Sequence, residues 1–137
     1  MSMLTNFPLM AIALVLYNGI AFGLGGEALT WQMPVFELAM VSGALWLFDL
    51  GDLMIGVGLL LLFIEILKAT RIGRLSIIDH LVSTVVFIVF LIEFLLVPAA
   101  STSIFFLLLV MVLIDVMAGF SVSIRSATRD VSLGDGL

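Results

Sequence analysis

Three carboxylates stand inside apolar runs where an ionised group is costly: Glu65 in "GVGLLLLFIEILKA", Glu93 in "FIVFLIEFLLV" and Asp115 in "FFLLLVMVLIDVMAGF". In hydrocarbon a carboxylate must face a protein interior, pair with a donor or hold a proton. Each is therefore a candidate station for protons or small cations, or a polar tie that fixes one helix against another. Asp115 falls about eight residues from the expected end of its helix, roughly 12 Å into a bilayer at the usual rise. It shares a helical face with Met111, Gly119 and Val122, and Gly119 is small enough for a neighbouring helix to bring a donor to the carboxyl. The tie is the favoured reading.

Glu65 is followed three residues later by Lys68, an i,i+3 ion pair at a helix end, and Gly51 and Gly58 repeat beneath it at seven-residue spacing as a packing stripe. Glu93 has no cation on its side of the chain. Its candidate partners are the uncharged Tyr17 and Asn18, and it closes a stripe of Asp79, Ser83, Val86 and Phe90 along one helix face. Asp79 and His80 form a candidate pH-responsive pair, although an interfacial histidine near Arg71 and Arg74 is the plainer reading. Gly19 and Gly23 make a GxxxG pattern suited to helix packing.

Other chemistries lack their residues. The chain has no cysteine and a single histidine, which leaves no disulfide, thiol nucleophile or zinc set. A hard-metal site would need Asp79, Glu65 and Asp115 to converge. No phosphate loop, nucleophile elbow, HExxH motif or haem histidine pair occurs, so no enzyme activity, metal or cofactor is expected. Five cations are too few and too dispersed for nucleic acid.

The elements that must position these residues are membrane helices. Hydrophobic residues make up 64% of 137 and charged ones 11%, and the mean hydropathy is +1.39, whereas a soluble domain is about 25% charged. A hydrocarbon core needs roughly 20 helical residues. The pattern predicts helices at about 7–24, 51–69, 77–97 and 104–124, in one transmembrane domain over 1–137. The first run follows "MSMLTNF", which has no Lys or Arg, and is read as a retained helix with Asn6 as a cap and Pro8 in the first turn. The stretch 27–50 is too polar to span. Its Ser42-Gly43 turn between β-prone runs predicts a hairpin, with an interfacial helix as the competitor. Residues 125–137 read as a polar tail.

Lys68, Arg71 and Arg74 fall in one connection and Arg125 and Arg129 follow the last helix. By the positive-inside rule both segments, and both termini, are cytoplasmic, and 27–50 is outside. Trp31 and Trp46 join the five cations as membrane-interface anchors.

Together "VLYN", "GDLMIGVGLLLLFIEILKATR", "DHLVSTVVFIVFLIEFLLVPAASTS" and "IDVMAGFSVSIRSATRD" resemble a group of small uncharacterised four-span inner-membrane proteins of bacteria. The resemblance covers nearly the whole chain. It implies the topology and the bacterial inner membrane, and brings no functional motif. The expected fold is thus an all-α four-helix transmembrane bundle, N-in and C-in, with a small hairpin or interfacial segment outside. The expected function is that of a non-enzymatic homo-oligomer or accessory subunit of a membrane complex, in contact with lipid. The alternative is a proton or small-cation channel or transporter using Glu93, Asp115 and Glu65.

Overall fold

The structure, a computed structural model, describes residues 7–23, 30–70 and 75–135. It is mostly helical: α1 spans Met10–Ala21, α2 Leu50–Ala69, α3 Leu75–Leu96 and α4 Ser103–Asp135, with strands β1 (Pro34–Ala39) and β2 (Leu45–Asp49) between α1 and α2 and a short 3-10 turn at Pro98–Ala100 before α4. Stretches within α2, α3 and α4 are long and apolar enough to cross a membrane, and only 28 to 39% of each stretch is buried. Most of their apolar surface therefore faces outward, as lipid-exposed helices require. By length and composition this is a membrane protein.

Helix α1 is shorter than its sequence pattern. It covers 12 residues, about 18 Å at the usual rise. At its far end Gly23 adopts φ +94 and its N–H bonds Ile20 O at 3.4 Å, while Phe22 N–H bonds Asn18 O. Gly23 is thus the left-handed residue that stops the helix, not the second half of a packing motif, because a chain leaving α1 there needs the conformation glycine adopts most freely. Asn6 lies outside the described residues. Pro8 precedes the helix, its carbonyl accepting from Ala11 N.

Helix α4 departs in the other direction and runs to Asp135. The segment read as a tail, 125–137, is helical through Asp135, because nothing between Ile124 and Gly134 interrupts the ladder: no proline or glycine falls there.

The stretch expected outside the membrane contains an antiparallel hairpin. Strand register pairs Phe36 with Phe48, Leu38 with Trp46 and Ala39 with Leu45, with an irregularity between Pro34 and Phe36. Gly43, at φ +89, closes the turn by donating to Met40 O while Met40 N bonds Ala44 O, a glycine-dependent hairpin loop. The hairpin base also caps α2. Of the four N–H groups that a helix start leaves unpaired, Leu50 donates to Met33 O, Gly51 to Trp31 O, Asp52 to Asp49 Oδ1, and Asp49 to Asp52 Oδ2. All four are satisfied, which matters most where water is scarce.

The helix contacts fix direction. The start of α2 meets the start of α4 where Gly51 faces Ile104, and Gly58 faces Leu108 and Met111 further along. The N-terminal end of α1 meets the C-terminal end of α2 at Leu9 and Glu65, and Asn18 of α1 meets Glu93 late in α3. Helices α1 and α3 therefore run against α2 and α4. Asp49→Ala removes the cap at the junction of hairpin and α2; unfolding in lipid-like micelles should show a loss of about 1 kcal/mol, and an unchanged midpoint would mean that the capping box is dispensable.

Candidate functional site

The polar side chains buried between the helices form two layers, one at each end. The first lies where α1 ends and α4 begins. Tyr17, fully buried, donates to Ala99 O at 2.8 Å and meets Thr102 Oγ1 at 2.7 Å, and Thr102 also accepts from Phe105 N. The Tyr17 ring stacks on Trp31 with centroids 4.6 Å apart and meets Phe105 edge-on. The next residue, Asn18, donates from Nδ2 to Glu93 Oε2 at 3.1 Å and to Leu14 O. Glu93 is half-buried. Of its two expected donors, then, Asn18 reaches it and Tyr17 is committed to the α3–α4 connection. Trp31, expected as an interface anchor, packs on Tyr17 inside the fold; Trp46 is exposed on the hairpin, edge-on to Phe36 and Phe48.

The second layer lies at the Lys68 end and is more deeply enclosed. Glu65, Asp79, His80, Ser83 and Asp115 are each less than 10% exposed. Glu65 Oε2 accepts from the Leu9 backbone N–H at 3.0 Å and from Lys68 Nζ at 3.4 Å, and the same lysine donates to Phe7 O. The expected ion pair is therefore present, and its lysine also anchors the start of α1. Asp115 interacts electrostatically with Glu65, Asp79 and Lys68, and Ser83 stands within hydrogen-bonding reach of its carboxyl. Glu65 and Asp79 interact in the same way. The three acids that a hard-metal site would require thus share one region, yet among the described residues no three His, Asp or Glu side chains are placed to hold a metal ion.

Glycine makes this layer. A Cβ on Gly119 would lie 2.7 Å from His80 Cε1, so the imidazole lies directly over the α4 backbone one turn beyond Asp115. The sequence placed Gly119 beside Asp115 but did not indicate that a histidine would fill the gap. The face Asp79, Ser83, Val86, Phe90 is the buried one on α3, as its spacing predicts.

Between the layers the interior is apolar. Phe90, Leu108 and Val112 are fully buried there, with Ala13 contributed by α1. Glu93 is separated from Glu65 and Asp115 by this layer. Arg71 and Arg74 lie outside the described residues, as do the side chains of Val122, Arg125 and Arg129. Gly19 is half-buried on α1.

Comparison with known protein families, with characterised proteins and with solved structures finds no match to this chain. Its chemistry is accordingly read from its own geometry. Tyr17→Phe removes the hydroxyl that ties α1 to the α3–α4 turn and should destabilise the fold by about 1–3 kcal/mol; denaturant unfolding that leaves the midpoint in place would show the tie to be idle. Gly119→Ala should cost about 1–3 kcal/mol by overpacking against His80, and His80→Ala in the same chain should recover part of that loss.

Proposed function

We propose that the chain is a non-enzymatic integral membrane protein that works by association, as a homo-oligomer or as an accessory subunit of a membrane complex. Its four helices cross the bilayer, with both basic segments on the cytoplasmic side. The support for a fourth crossing is that α1, though short, reaches from the Glu65 layer to the Thr102 layer. In a bacterial cell the setting would be the inner membrane.

The observation that carries the reading is the hairpin. Val35, Phe36, Leu38, Met40, Val41, Leu45, Trp46 and Leu47 are all exposed, and among the described residues each of its two strands has one neighbour. A two-stranded sheet is marginal by itself, and an apolar strand with an open edge is a template for pairing. A surface of this kind is best accounted for as a contact surface. The conducting alternative draws on Glu65 and Asp115 sharing one layer, but it needs Glu93 as well, and the fully buried Phe90, Leu108 and Val112 stand between them.

The mass of the purified full-length protein in lipid nanodiscs, with co-purifying chains identified, tests the proposal. The expected result is one discrete oligomer, or a fixed ratio to a foreign membrane protein, dispersed by Leu38→Lys with Trp46→Lys, which charge one face of the hairpin. A monomer without partners would overturn it.

A further inference from the structure

Three carboxylates from three helices, Glu65 of α2, Asp79 of α3 and Asp115 of α4, interact with one another in a space that all but excludes water. A cluster of acids alone would be explained by the ion pair that neutralises one of them. A second, independent observation sets this one apart: Asp79, about nine-tenths buried and close enough to both other acids to interact with them, has an oxygen, Oδ1, with no hydrogen-bond partner among the described residues. A buried carboxylate oxygen without a donor is costly, and so are two negative charges beyond what a single lysine offsets.

The donors are distributed unevenly. Glu65 receives the Leu9 amide and Lys68, so its charge is provided for. Asp115 has Ser83. From α3 the imidazole of His80 lies beside the cluster with Nε2 also buried and, among the described residues, without a hydrogen-bond partner. From α1 no titratable side chain among the described residues faces the cluster. Arg71 and Arg74 belong to the connection outside the described residues.

We propose that Glu65, Asp79 and Asp115 form a proton-binding site that holds at least one proton at neutral pH and is reached from the Lys68 end. A proton is the ligand that removes the excess charge and supplies the missing O–H donor in the same step. A metal would need three ligands placed around it, an arrangement absent among the described residues. The site is one-sided. Phe90, Leu108 and Val112 close it toward Glu93, whereas Lys68 at the mouth is partly exposed, its side chain 12% accessible. A site of this design loads and releases protons on one side and does not conduct them through the protomer. Because its three acids come from three helices, losing the proton sets α2, α3 and α4 against one another by like-charge repulsion.

The sign of the pH effect follows. The folded chain holds a proton that the unfolded chain releases, so stability is greatest at low pH and falls as pH rises through the site's titration. The full-length protein in phosphatidylcholine vesicles, observed by infrared spectroscopy, tests this. The expected result is a protonated-carboxyl C=O band at neutral pH that disappears on alkaline titration, is lost or reduced in Asp79→Asn or Asp115→Asn, and persists in Glu93→Gln. Thermal melting of the wild type should fall with rising pH, and that of Asp115→Asn should fall less. No such band at neutral pH, or a band that only Glu93→Gln removes, would overturn the proposal. Should an aspartate variant fail to fold, the Glu93→Gln protein decides alone: a band kept supports the cluster and a band lost refutes it.

Discussion

The fold depends on one constraint: a polar group removed from water must find its partner within the protein. The start of α2 shows how fully the chain meets it. Asp49 and Asp52 cap each other's backbone, and the two remaining amides are taken by carbonyls of the hairpin base. The hairpin is thereby bound to the helix. At the same end Tyr17 answers a carbonyl and a hydroxyl of the α3–α4 turn, and at the other end Glu65 collects an amide from α1 and an ammonium from its own helix. These bonds, more than shape, hold α1 in place.

Polar groups that satisfy one another gather at the ends, and what lies between them must be apolar. Phe90, Leu108 and Val112 fill the middle because helix faces carrying glycine at 51, 58 and 119 let α4 approach closely. The same packing separates Glu93 from the acids at the Lys68 end. A chain with three intramembrane carboxylates is thereby divided into a tie at one end and a crowded acid cluster at the other. Asp115, the residue deepest in its apolar run, belongs to the cluster. Its neighbours explain its position better than its sequence does.

Much of this was legible. The Asp79-to-Phe90 face, the Glu65–Lys68 pair, the Gly51–Gly58 stripe and the turn at Ser42-Gly43 follow from periods of 3.6 and 2 and from residue chemistry. Three features were not. The end of α1 at Gly23 was hidden because GxxxG reads identically whether its second glycine packs or terminates a helix. The extension of α4 to Asp135 was hidden because hydropathy marks where a span leaves lipid and not where its hydrogen-bond ladder ends. The partners of Asp79, Thr102 and Trp31 depend on which helices meet, a long-range property that no local pattern contains. The reciprocal Asp49–Asp52 cap could have been found, since an aspartate three residues before another at a helix start is a local signature.

The absence of cysteine allows the proposed topology, with the hairpin and the Lys68 end of the helices on opposite sides of a membrane, to be measured directly. Single cysteines at Ser42, Thr70 and Ser126 in sealed inner-membrane vesicles of known orientation would be challenged with a membrane-impermeant thiol reagent. The account predicts that Thr70→Cys and Ser126→Cys react from the cytoplasmic face and Ser42→Cys from the other. Labelling of Ser42→Cys and Thr70→Cys from the same face would contradict it, because α2 would then not cross.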